Sequence, residues 1–94
     1  MPRLNYATPL HTFDTSHLSY TPNKDCYVIG TIASAGQGSS NSVSIDGKPI
    51  YQVWGVSNSY NTAMEIPLTP IASGQPVTLK SCSYADILYI LEEL

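Results

Sequence analysis

The stretch HTFDTSH places two imidazoles and a carboxylate close together, at His11, Asp14 and His17. Such groups can hold a transition metal or relay a proton. On an extended strand, residues three apart point to opposite faces, so these three do not close on one ion within a chain. One imidazole from each of three chains around a symmetry axis would be needed, and surface histidines are the simpler reading. The carboxylates Asp14, Asp25, Asp46, Glu65 and Asp86 are scattered over different turns and strands. Nothing sets two of them as a pair for glycoside cleavage. Serine is frequent, yet no Gly-x-Ser-x-Gly elbow occurs and neither histidine has a nucleophile beside it. The glycine-rich AGQGSSN at 35–41 lacks the Lys-Ser/Thr and the helix that make a phosphate loop.

Cys26 and Cys82 read as free, buried thiols rather than as a disulfide staple. With Trp54 they resemble the immunoglobulin arrangement of two cysteines about a tryptophan. That pattern fails in detail: Trp54 falls past the next strand, and Lys80 stands where a tyrosine is expected two places before the second cysteine. No metal or cofactor is expected, and the chain does not read as an enzyme.

What remains is surface. The chain has 94 residues, 12% of them charged, with seven Tyr against one Phe and one Trp. That is roughly half the charge of an ordinary soluble domain. Tyr, Ser, Thr and Asn without much charge suit carbohydrate contact or close subunit packing. Net charge is −3, and the four basic residues (Arg3, Lys24, Lys48, Lys80) are spread evenly. No basic cluster exists to neutralise phosphates, which argues against a nucleic-acid partner. No apolar run is long enough to insert in a bilayer. The opening MPRLNYATPLHTFD lacks the apolar core of a signal peptide, so the chain is expected to be made and kept in a cytosol.

The elements that must carry these residues are strands. Residues 3–13 read as a short edge strand or extended arm interrupted by Pro9, and 14–24 as a loop with a short strand near 17–20. DCYVIGTIAS at 25–34 is a strand in which Gly30 marks a bulge or a close approach by another chain. SVSIDGKPIYQVWG at 42–55 is a hairpin about Asp46-Gly47. Its second arm carries Ile50, Tyr51, Val53 and Trp54 almost in succession, so both of its faces are apolar. A polar loop at 56–62 precedes an edge strand at 63–68 containing Pro67, then a turn at 69–76 and a strand at 77–82. Residues 85–91, ADILYIL, have six apolar positions in seven and no polar helical side, hence a strand covered on both faces. One domain follows, 1–94, with 1–24 as arm, edge strand and loop and 25–94 as the main body. Its class is all-β: a small antiparallel β-sandwich or jelly roll.

The motifs MPRLNYA, YTPNKDCYVIG, SVSIDGKPI, IPLTPIASGQPVTL and ILYILEEL resemble those of short phage and prophage proteins that form the receptor-binding heads of tail fibres. In that group a D-G-F-V strand is followed by V-x-V/I-N/D-G-x-x-I, then P-V/I-x-x-G-D/Q-x-V and a closing aromatic-aliphatic strand. Cys26 departs from the glycine after Asp, and Gln75 from the more usual Asp. The resemblance runs from Tyr20 onward and rests on strand-and-turn grammar. It implies a jelly-roll-like sandwich working as a homotrimer, resident in the virion tail or in host cytoplasm before assembly. It also implies attachment to a bacterial surface glycan or protein through loops at the tip. Neighbouring subunits would then cover the second apolar faces, with Tyr51, Trp54, Ile87, Tyr89 and Leu91 at the contact. Tyr60 is the candidate ligand residue, an aromatic able to stack on a sugar ring, with Asn58 and Asn61 as polar companions. Its ordinary alternative is to tuck back onto the sandwich. Two other classes stand beside this one: a structural virion or cell-surface module without a ligand, and, less favoured, a carbohydrate-active enzyme fragment.

Overall fold

The computed structural model describes residues 2–34, 36–56, 62–83 and 86–94. Among them are eight strands and no helix: β1 (His11–Thr12), β2 (Ser19–Tyr20), β3 (Cys26–Ser34), β4 (Ser40–Ile45), β5 (Lys48–Trp54), β6 (Thr62–Ile71), β7 (Val77–Leu79) and β8 (Ile87–Leu91). They pair as nested antiparallel couples, β1 with β8, β2 with β7, β3 with β6 and β4 with β5. This is a long double strand rolled on itself, and it divides into two four-stranded sheets, β1-β8-β3-β6 and β2-β7-β4-β5. The expected jelly-roll-like sandwich is the observed fold. Residues 1–24 are more deeply built in than an arm, because they give each sheet an edge strand and place Phe13 in the core.

Alternation on β3, β4, β7 and β8 fills the space between the sheets with Val28, Ile32, Val43, Val77, Leu79, Leu88 and Ile90, all buried. Fully burying one such side chain is worth about 1.5–3 kcal/mol, so this aliphatic layer is the main stabilising term. Two rings and a hydrogen bond close the open edges of the roll. His11 stacks on Tyr20 at 4.8 Å between the β1 and β2 edges, and the Tyr51 hydroxyl meets Thr69 Oγ1 at 2.8 Å between the β5 and β6 edges.

Asp46 and Gly47 form the β4–β5 turn as read, both with positive φ, 57° and 80°. Such a turn twists as the flanking strands do. Register explains the crowded arm beyond it. Ser44 faces Pro49 but Val43 faces Tyr51, so Ile50 is an extra residue. The bulge resets the alternation: Tyr51 and Val53 turn inward and Trp54 outward. A second bulge lies in β6, where Val28 faces Thr69 while Gly30 faces Ile66. It absorbs Pro67, and the strand runs on through Pro70 to Ile71 instead of turning at 69. Both prolines sit on an edge strand, where a missing N–H costs least and blunts pairing with other chains. The close approach expected at Gly30 is real but comes from the same chain: an added Cβ would run into the Ile87 carbonyl on β8.

The two outer faces differ. Register sets Ser19, Thr78, Ser42, Ser44 and Gln52 on the outside of the second sheet, with Trp54 at one end. The outside of the first sheet carries Tyr27, Ile29, Ile87, Tyr89 and Leu91, with Thr12, Thr31 and Glu65 beside them. An antiparallel sandwich needs only one apolar face per sheet. The first sheet has two.

Neither cysteine is bonded to the other; Cys26 is buried and Cys82 half-buried. Burial pushes both thiols above their usual range. Alkylation of the native protein is therefore expected to reach Cys82 well before Cys26, and both after denaturation, with the unfolding midpoint indifferent to reductant. A denatured species two hydrogens lighter and refractory to alkylation would contradict this.

Candidate loop-end site

Because neighbouring strands are antiparallel, the connections β1–β2, β3–β4, β5–β6 and β7–β8 all lie at one end of the roll. The opposite end holds the β4–β5 turn and the paired segments around Leu4 and Glu93. The strand ends that flank the two loops singled out in the sequence, 35–41 and 56–62, thus arrive at the same place. The first loop is laced to the end of β5: Gly38 N–H donates to Gly55 carbonyl oxygen at 3.3 Å and Gly55 N–H to Ser39 carbonyl oxygen at 2.8 Å.

Beside this lacing, between the β3–β4 and β7–β8 connections, lies a cleft of about 420 Å³ lined by Ser34, Ser39, Ser40, Lys80, Ser81 and Asp86, among others. Two polar side chains build its walls. Asn41 is 1% exposed on the inward face of β4. Its Nδ2 donates to the carbonyls of Ala33 (3.0 Å) and Ser81 (2.9 Å), and its Oδ1 accepts from Ser42 N (2.9 Å) and Ser81 N (3.1 Å). One amide thereby ties the end of β3 to the β7–β8 connection. Asp86 accepts from Ala33 N and Ser83 N, both at 2.7 Å, so its carboxylate is engaged in holding the wall. Lys80 Nζ donates to Ser40 Oγ at 2.9 Å. Ser34 is 3% exposed and its hydroxyl finds no partner among the described residues. Serine hydroxyls, an ammonium and backbone amides form a surface for holding hydroxyl or acidic groups.

The β1–β2 connection supplies the histidine cluster. Asp14 and His17 do not sit on a strand, as the three-apart argument assumed. They close a tight turn through mutual backbone bonds, Asp14 N to His17 O at 3.3 Å and His17 N to Asp14 O at 3.1 Å. The turn brings His17 Nδ1 to 2.7 Å from Asp14 Oδ1. That bond, with a backbone N–H from Ser16, holds the Asp14 carboxyl below its usual range. His11 joins through a 3.3 Å contact of its ring nitrogen with the His17 carbonyl and an edge-on approach of the two rings at 6.4 Å. Asp25 and Asp46 take turn roles at the opposite end, Asp25 accepting from Ser73 N and Asp46 from Gln75, while Glu65 stands on β6 opposite Thr31.

The expected contact residues divide. Trp54 and Ile87 are exposed, 58% and 53%, on opposite faces of the sandwich. Tyr89 is half-buried on the outer face of β8, and Tyr51 is half-buried with its hydroxyl on Thr69. Leu91 is a correction: it is 0% exposed and not available to a partner. It lies on the outer face, near the bridge by which Leu4, itself buried, pairs with Glu93. Tyr60, Asn58 and Asn61 lie outside the described residues. The residues of the cleft were missed in the sequence because three separated segments supply them. The available signal was Asn41, a polar residue at an inward position of the alternation Asn41–Val43–Ile45. Comparison with protein-family models, curated proteins and solved structures finds no match to the chain.

Proposed function

We propose that the domain is a receptor-binding module of the tail-fibre type, attaching to a bacterial surface glycan or protein with its loop end. The observation that supports this is convergence: the strand ends that carry the polar loops come together at one end of the roll, beside a hydroxyl-rich cleft. The working unit in this reading is a homotrimer. Trp54 and Ile87 both lie at the loop end, Trp54 closing β5 and Ile87 opening β8, but on opposite outer faces. An isologous dimer brings one patch against itself, whereas a cyclic ring joins two different patches. Trp54 of one chain against the Ile87 and Tyr89 face of the next is therefore a ring contact. Edges blunted by Pro49, Pro67 and Pro70 leave faces, rather than strand addition, for assembly. Threefold display would also raise a weak single-site affinity by multivalency.

Two measurements test the proposal. Light scattering is expected to give three chains of 10.2 kDa each. Trp54→Asp and Ile87→Asp are expected to give folded monomers, since both positions are already exposed in the single chain and a charge there is intolerable only in a dry contact. A parent protein that is monomeric at micromolar concentration would refute the ring. Pull-down of the domain on bacterial cells, with stripped or mutant surface polysaccharide as the control, tests attachment. A trimer that binds no cells would instead favour a structural virion module, the reading that the apolar outer face of the first sheet also fits.

A further inference from the structure

We infer that the loop-end cleft receives the acidic group of a polyhydroxylated ligand, with Lys80 as its counter-charge and Ser34 as a buried donor. The ligand's acid is a sugar carboxylate or a polyol phosphate; both offer an anionic oxygen flanked by hydroxyls. This assignment rests on the loop end being the binding end.

Lys80 supplies the charge. Lys24 is bonded to Glu92 at 2.8 Å, whereas Lys80 has no carboxylate within ion-pair distance among the described residues. It is nonetheless held at the cleft, by its backbone N–H on Ser42 carbonyl oxygen (2.9 Å) and its ammonium on Ser40 Oγ (2.9 Å). The one carboxylate among the described lining residues, Asp86, has both oxygens engaged by short backbone donors, from Ala33 and Ser83, and keeps its charge, so the ligand's acid must sit on the Lys80 side of the cleft. An oxyanion beside Lys80 therefore meets a cation whose charge is not already compensated, in a form roughly twice as strong as a neutral hydrogen bond.

Ser34 supplies the second, independent sign. A buried hydroxyl without a partner carries a penalty of about 1–3 kcal/mol, and such groups call for an explanation. A ligand oxygen reaching the base of the cleft would accept its proton. No aromatic side chain is among the described residues of the lining, so ring stacking contributes nothing from them and selectivity falls to charge and hydroxyls. The volume, about 420 Å³, is within the range of sites that take small ligands.

The test is an amide NMR titration of the native protein with glucuronate, glycerol 3-phosphate and glucose. Saturable shifts at Ser39, Ser40, Ser81 and Ser83 are expected with one or both acids, and a much weaker response to glucose. A response to only one acid identifies the source of the anion. Lys80→Gln should weaken the acid by about tenfold. Ser34→Ala should also weaken it while raising the unfolding midpoint, because an orphaned buried hydroxyl is removed. Equal response to glucose, no saturable shift at all, or parent affinity retained in either variant overturns the assignment. Cell binding separates this inference from the reading beneath it. Parent-like cell binding by Lys80→Gln sinks the cleft and leaves the module standing; acid binding without any cell binding does the reverse.

Discussion

Gly30→Ala is expected to cost about 3–5 kcal/mol, a large part of the roughly 5–14 kcal/mol that holds a domain of this size. Gly30 sits mid-strand in β3 between β6 and β8, with φ at 154°. A methyl group there would overlap the Ile87 carbonyl oxygen and stand 2.8 Å from the Leu88 Cα. These are backbone atoms of a paired strand and have no rotamer by which to yield, so β3 and β8 must separate. Separation would break the ladder next to Val28, Leu88 and Ile90, at the centre of the core. Gly74→Ala is the control. Gly74 also has positive φ, 86°, but nothing lies within 4 Å of the position its Cβ would take. Its substitution should cost only the left-handed penalty, about 1–2 kcal/mol. Urea denaturation of the two variants decides the matter. Equal losses would mean that close approach at Gly30 contributes nothing beyond its backbone angle.

Gly30 also shows what a sequence can and cannot disclose. A glycine within a run of Tyr, Val and Ile announces that something comes close, but not which chain brings it. The intruder is β8, more than fifty residues further on. The hairpin was fully legible because Asp46-Gly47 is local chemistry: two residues that tolerate positive φ between alternating arms. Of the bulges, the one beside Gly30 was signalled by that glycine, though not that the extra residue lies on β6, and the one at Ile50 was not. Ile50 and the Pro67–Leu68 step each add one residue to a strand, and from there onward every side chain changes face. That is why the second arm of the hairpin looked apolar on both sides when its interior set is Tyr51 and Val53. Reading β8 as two-faced was sound in pattern. Leu91, however, is buried in the single chain, next to a strand end bridged by Leu4 to Glu93, a pairing no local window contains. The loop end was legible as two loops. It became a site only through the bonds of Asn41 to Ser81 and of Asp86 to Ala33, which join distant segments and leave no spacing to recognise.

Asn41 should therefore carry the second large effect, and one that reaches the cleft. Its amide pairs with both the N–H and the carbonyl of Ser81, as one more rung of strand would, and reaches the Ala33 carbonyl and Ser42 N–H besides. Asn41→Ala strands these backbone groups in a part-buried wall. At about 1–3 kcal/mol for each unsatisfied buried group, with water relieving some of them, the loss is expected near 3 kcal/mol. Asn41→Leu should fare no better, since volume is not what is missing. Asn41→Asp gives a sharper test, because the oxygen in place of Nδ2 would set an acceptor against the carbonyls of Ala33 and Ser81. Only the protonated acid can donate there, so the folded-state pKa of the introduced group must rise above its unfolded value of about 3.9. The folded protein then binds the extra proton, and stability falls as pH climbs from the unfolded pKa to the raised folded one. The variant should be nearest the parent in mild acid and weakest near neutrality, opposite to what a salt-bridged aspartate gives. Amide exchange at Ser81 should accelerate in step, as should loss of the cleft's response to acidic probes. If Asn41→Asp is equally stable at pH 4 and pH 7, the carbonyls of Ala33 and Ser81 do not depend on that amide, and the wall of the cleft is held by Asp86 alone.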